Sequence, residues 1–209
     1  MDANVGGGNG RVRNGVATAV ITANDDPEER GRVKLQYPWA KELGDSGWVR
    51  VATIGAGKGY GFYFVPEVGD EVLVSFADGD VERPFVIGTL WNGKDKPVGG
   101  SKPEEKWIRT KGKNVVIISD EQANGRISIT TAKGHTVSIN DKDGSEKIVV
   151  ADEGGKNGIE VDITNKELKV SAEMKLSLSA TSIEITADAD LSLTSNGTLS
   201  IQGTMVTIN

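Results

Sequence analysis

From Leu168 onward, apolar and polar residues alternate almost without pause. Leu168, Val170, Ala172, Met174, Leu176, Leu178 and Ala180 take even positions, and Lys169, Glu173, Lys175 and Ser177 take odd ones. After Thr181-Ser182 the parity flips, and Ile183, Ile185, Ala187, Ala189, Leu191, Leu193, Leu199 and Ile201 are odd. It flips again before Val206 and Ile208. A period of two belongs to a strand with one buried and one wet face. The flips mark bends that keep the apolar face inward. Upstream, Val115–Ile118, Ile127/Ile129, Val137/Ile139, Ile148–Val150 and Ile159/Val161/Ile163 read as short strands. Asn124-Gly125, Asp143-Gly144 and Asn157-Gly158 supply the turns.

The first half has a different texture. Val16–Ile21, Arg32–Tyr37, Trp48–Ala52, Phe62–Val65, Glu71–Phe76 and Pro84–Trp91 are strand candidates. Asp25-Asp26-Pro27, the glycines from Gly55 to Gly61, Asp78-Gly79 and Asn92-Gly93 break them apart. This predicts a small all-β barrel over residues 16–93. Residues 1–15, rich in glycine and asparagine, read as a flexible lead or linker. Residues 94–106 have linker composition and precede a second domain over 107–209.

Composition sharpens the contrast. All eleven aromatic residues lie between Tyr37 and Trp107, and the 102 residues after Trp107 contain none. All six prolines lie at or before Pro103. Rings bury ~150–250 Å² each and fill globular cores, so the second half must close a narrower space with aliphatic side chains. No helix and no ring is at hand to cover its apolar rows, which must therefore meet copies of themselves. Within one chain that makes a solenoid; between chains it makes an oligomer around a shared axis. Phrases such as Lys175-Leu176-Ser177-Leu178 and Ser182-Ile183-Glu184-Ile185 repeat at less than a typical solenoid coil of about 20 residues. That favours the oligomer.

At Gly31-Arg32-Val33-Lys34-Leu35-Gln36-Tyr37-Pro38-Trp39 the sequence becomes specific. Ser46–Val51, Val65-Pro66-Glu67-Val68-Gly69-Asp70-Glu71-Val72-Leu73-Val74-Ser75-Phe76, Arg83-Pro84 and Val86–Gly93 follow in order. This run resembles the OB-fold of the central spike of contractile injection machines, a family of phage baseplate, type VI secretion and extracellular injection spikes. The aromatic-free tail is similar to that family's needle. The resemblance implies an N-terminal OB-fold followed by an intertwined, homotrimeric, triple-stranded β-helix that is structural and non-enzymatic. It implies assembly in the cytoplasm onto a baseplate hub and inner tube, action outside the cell or at the target envelope, and transient contact with the membrane that is pierced. It places Val137, Ile139, Ile159, Val161, Ile163, Leu168, Val170, Met174, Leu176, Leu178, Ile183, Ile185, Leu191, Leu193, Leu199 and Ile201 on the trimer axis. Met205, Val206, Ile208 and Asn209 would form a blunt end for a tip protein of the proline-alanine-alanine-arginine repeat type. Some phage spikes end in a His-x-His apex that binds iron. The only histidine here is His135, so no apex metal and no cofactor are expected. The hub domains that precede the OB-fold in many relatives are missing from this sequence, which reads as a short spike type or a fragment of a longer hub–spike protein.

Other chemistries fare less well. A net charge of −6 opposes nucleic acid, which needs clustered cations. Arg11, Arg13, Arg30, Arg32 and Lys34 form a modest basic run beside Asp25, Asp26, Glu28 and Glu29. Tyr60, Phe62, Tyr63 and Phe64 could stack bases, but a small barrel also needs them for its core or for packing against the needle. Asp78, Asp80 and Glu82 are the carboxylates a glycosidase would need, yet they sit at an expected turn. Asn140–Glu146 carries the oxygens of a calcium loop without flanking helices. With no cysteine there is no thiol nucleophile or disulfide framework. The alternatives are an OB-fold carbohydrate-binding adhesin on a β-helical stalk and a polysaccharide-degrading tail spike.

Overall fold

The computed structural model describes residues 15–98 and 102–208. The expected lead, apart from Gly15, and the end residue Asn209 lie outside the described residues. The chain divides into two units, Met1–Pro103 and Glu104–Asn209.

In the first unit, β1 (Val16–Ala23), β2 (Lys34–Gln36), β3 (Arg50–Val51), β6 (Glu71–Phe76) and β7 (Pro84–Leu90) form one sheet in the order β2-β1-β6-β7-β3. All neighbours are antiparallel except β3 and β7. Just ahead of β2 and β3, Val33 and Val49 exchange both backbone hydrogen bonds, at 2.9 and 2.8 Å. That bridge joins the two edges and closes the barrel. Its five strands, counted in chain order, run first-second-third-fifth-fourth around the ring, as in an OB-fold. A bulge that leaves Ile87 unpaired in β7 helps the sheet curl.

Alternation selects the core. Ala17, Ala19 and Ile21 point inward from β1, and Val72, Val74 and Phe76 from β6, where they meet Val33, Leu35, Val49 and Val86. Tyr37 and Phe76 are the only rings in this cluster among the described residues. The strand expected at Phe62–Val65 does not form. A short hairpin of β4 (Ala56–Gly57) and β5 (Tyr60–Gly61) stands there instead. It ends at Gly61, where φ is +142° and a side chain would lie 2.3 Å from the Gly55 carbonyl oxygen. Tyr60, Phe62, Tyr63 and Phe64 are exposed, so these rings do not serve the core.

The second unit is a meander. β8 (Glu105–Arg109), β9 (Val115–Ser119), β10 (Arg126–Thr130), β11 (Thr136–Asn140), β12 (Lys147–Ala151), β13 (Gly158–Asp162) and β14 (Glu167–Ser171) pair in strict chain order. Every strand has five residues and every neighbour is antiparallel. Of the expected turn pairs, Asp143-Gly144 is central to its turn, whereas Asn124-Gly125 follows the turn centred on Gln122-Ala123 and Gly158 is already the first residue of β13. The pairing of β8–β14 is thus within one chain, although β8 begins inside the expected linker. After Ser171 the described residues form no strand, and all of them are exposed.

Candidate functional site

The register of the meander builds two aliphatic rows on one face. One row runs Lys106, Ile118, Ile127, Ile139, Ile148, Val161, Leu168. The other runs Ile108, Val116, Ile129, Val137, Val150, Ile159, Val170. Apart from Lys106, every position is Ile, Val or Leu. Within one chain this face stays open: Ile139 is 41% exposed, Ile129 52% and Leu168 65%. Soluble chains rarely leave a contiguous apolar patch of this kind uncovered unless something binds there.

The opposite face is mixed: Trp107, Ile117 and Val149 lie on it beside Ser128, Ser138, Glu160 and Lys169. Lys147 donates to Glu160 at 2.9 Å and reaches Asp162 at 3.1 Å. The two carboxylates, Glu160 foremost, raise the Lys147 ammonium above its usual pKa. Asp162 is buried at the end of β13. The Asn165 backbone N–H and side-chain amide, aided by Lys147, outweigh burial and pull its pKa down to about 2. Arg126 lies 3.6 Å from Glu105. One face thus carries the charged pairs, and the other is an open aliphatic surface.

The residues expected on an axis fall as follows. Val137, Ile139, Ile159, Val161, Leu168 and Val170 lie in the two rows. Ile163 lies in the turn after β13. Met174, Leu176, Leu178, Ile183, Ile185, Leu191, Leu193, Leu199 and Ile201 are exposed in the strandless tail, as are Met205, Val206 and Ile208 of the expected tip surface. The structure adds Ile108, Val116, Ile118, Ile127, Ile129, Ile148 and Val150 to the open face. Val115–Ile118 and Ile148–Val150 are continuous apolar runs whose parity cannot be read alone. Counting back from Ile127 and Ile139 through the turns assigns it.

The competing sites take structural forms. Asp26 is buried and accepts the backbone N–H groups of Glu28, Arg30 and Arg32 and two bonds from the Arg32 side chain, at 2.9 and 2.7 Å. The guanidinium holds the Asp26 carboxyl well below the usual carboxylate range, against the opposing effect of burial. Arg32 also binds Glu28 at 2.8 Å, and Arg30 binds the same carboxylate at 2.8 Å. These cations clamp the Asp26–Arg32 loop, and Arg32 and Lys34 both lie over the Trp48 ring. Arg11 and Arg13 fall outside the described residues. Asp78 has φ +54° in a turn and pairs with Arg83 at 3.0 Å, while Asp80 accepts the Glu82 backbone N–H. In the Asn140–Glu146 turn, Asn140 accepts the Lys142 N–H. His135 closes the β10–β11 turn, its N–H donating to the Thr131 hydroxyl. Among the described residues no group of three or more His, Cys, Asp or Glu is placed to hold a metal ion. Nor is any described helix long and apolar enough to cross a membrane.

Comparison with known proteins addresses the barrel. Residues 17–91 match the family model of the type VI secretion system/phage-baseplate injector OB domain. The first unit belongs to that family. Its injector OB domain starts one residue into β1 and ends just past β7, so the closed ring is the matched part. The chain is 36% identical over 88 residues to the type VI secretion system spike protein VgrG2a of Pseudomonas aeruginosa, an alignment covering 39% of this chain and 10% of the relative. It is 43% identical over 86 residues to VgrG4b of the same organism, covering 37% and 11%. It is 38% identical over 74 residues to the actin cross-linking toxin VgrG1 of Vibrio cholerae, covering 34% and 7%. The alignments span about a tenth of these curated relatives or less, about the length of one injector OB domain.

Proposed function

We propose that this chain is a structural, non-enzymatic spike at the tip of a contractile injection apparatus, and that three copies share one axis. The observation that carries the reading is the open, in-register aliphatic face of β8–β14. The injector OB domain and its likeness to secretion spikes support the setting.

Strand length favours three over four. A five-residue strand is about 17 Å long. Three such sheets arranged as a triangular prism put each sheet about 5 Å from the axis, half the ~10 Å spacing of packed sheets. Ile, Val and Leu fill that depth and rings do not. Four sheets in a square would stand about 17 Å apart and leave a hole. Covering thirteen half-exposed aliphatic side chains per chain contributes on the order of 10–20 kcal/mol before ordering costs.

The meander supplies one prism face per chain. Residues 172–208 keep the same alternation but have no strand partner within the chain, so they take partners from the other two copies and wind into the triple-stranded β-helix. Met205, Val206, Ile208 and Asn209 offer a docking surface for a separate tip protein. The hub and inner tube hold the other end. The chain's work is mechanical: stiffness and a narrow section delivered to a target envelope.

The functional test is a particle assembled with a chain truncated after Pro103. The sheath should still contract, tip density should be missing and delivery should fall to background. Undiminished delivery by such particles, or polysaccharide digestion by the intact chain, would refute the reading.

A further inference from the structure

The meander's two turn edges carry opposite charge. Turns one, three and five (residues 110–114, 131–135 and 152–157) lie on one edge, and turns two, four and six (120–125, 141–146 and 163–166) on the other. The first edge holds four lysines against two carboxylates, with His135 beside them. The second holds five carboxylates against two lysines. Lys113 and Lys133 are exposed on the first edge, and Asp120, Asp141 and Asp143 on the second. Each edge is a continuous strip. The Ala132 N–H donates to Asn114 across turns on one side, and the Asp143 N–H donates to the Ala123 carbonyl on the other.

We propose that these edges dock on one another between copies, lysine edge to carboxylate edge, at the corners of the trimer. The inference rests on the three-copy reading above and adds to it how the copies recognise each other. A threefold rotation carries each edge onto its own kind, so every corner must join the first edge of one chain to the second edge of the next. That is a head-to-tail contact, and opposite charges suit it. The same rotation keeps all strands at equal height. Turns on the two edges are offset by one strand, about 4.8 Å, so they interleave along a corner. Lys113 then stands level with Asp120 and Glu121, and Lys133 with Asp141. Pairing in this sense steers chains into the parallel, closed ring. An antiparallel neighbour would bring like edges together and be repelled.

The test is reassembly of the full chain from denaturant, followed by native mass at low and high salt. Lys113→Glu/Lys133→Glu and, separately, Asp141→Lys/Asp143→Lys should each slow trimer formation about tenfold or more at low ionic strength. High salt should close the gap. The chain carrying all four substitutions restores opposite edges and should recover the unsubstituted rate. Recovery also excludes misfolding as the cause of slowing. Trimers that form at the unsubstituted rate in both edge variants would overturn the proposal and leave the spike reading intact, as would a four-fold variant as slow as its parents. A monomeric unsubstituted chain would overturn both.

Discussion

Ile139 and Ile148 stand opposite each other across the β11–β12 ladder, both on the open face of the meander. Ser138, one residue away, faces the other side against Val149. This one-residue difference separates a proposed dry axis from the wet exterior.

Ile139→Asp should therefore abolish the trimer, because three carboxylates would meet where no water or cation compensates them. Ser138→Asp should leave assembly unchanged. Ile185→Asp and Leu193→Asp should behave like Ile139→Asp if, as proposed, the tail winds around the same axis. Native mass of the purified variants reads the result; normal trimers from Ile139→Asp would place that residue outside the axis.

The axis should also reject rings. Val137→Trp adds bulk at a depth of about 5 Å from three directions at once. Loss of assembly or a large fall in thermal midpoint is expected, with Thr136→Trp on the outer face as the tolerated control.

The barrel responds to ordinary core rules. Leu35 is fully buried, so Leu35→Ala should cost the injector OB domain about 2–5 kcal/mol. Denaturant unfolding of residues 15–98, whose tryptophans are Trp39, Trp48 and Trp91, followed by tryptophan fluorescence measures it. A loss under about 0.5 kcal/mol, the range of surface substitutions, would mean the closed ring is not the folded state.

Acid should act through Asp162. Its pKa is lowered in the fold, from 3.8 to about 2. The charged form is therefore the one the fold favours, and its stabilisation is complete above about pH 4 and lost as pH falls through about 2. Unfolding midpoints measured from pH 6 to pH 2 should decline over that window. Asp162→Asn should flatten the decline while lowering the plateau, and an unchanged slope would remove Asp162 from the balance.

Removing residues 204–209 should abolish binding of a tip protein while leaving the trimer intact. Interferometry with the tip protein in solution reads this directly, and unchanged affinity would move the docking surface elsewhere.

Much of this architecture was legible in residue order. Alternation in Val16–Ile21 and Glu71–Phe76 marks the barrel strands, and Asp143-Gly144 marks a meander turn, while Asn124-Gly125 and Asn157-Gly158 stand next to turns and not at their centres. Two things were not. The aromatic run from Tyr60 to Phe64 reads as core or as packing against the needle because rings are usually buried, but it is exposed around a hairpin end at Gly61, whose φ of +142° only glycine adopts readily. The full extent of the open face was hidden as well, because Val115–Ile118 and Ile148–Val150 have no readable parity until cross-strand register assigns it. The opposite charge of the two edges emerges only when the turns are sorted by side, since in chain order they alternate.

The most direct measurement is the native mass and sedimentation velocity of the full chain. Three chains per particle, with the high frictional ratio of a needle, are expected across dilution. A compact monomer, or a dimer with two open faces packed as a sandwich, would contradict the shared threefold axis.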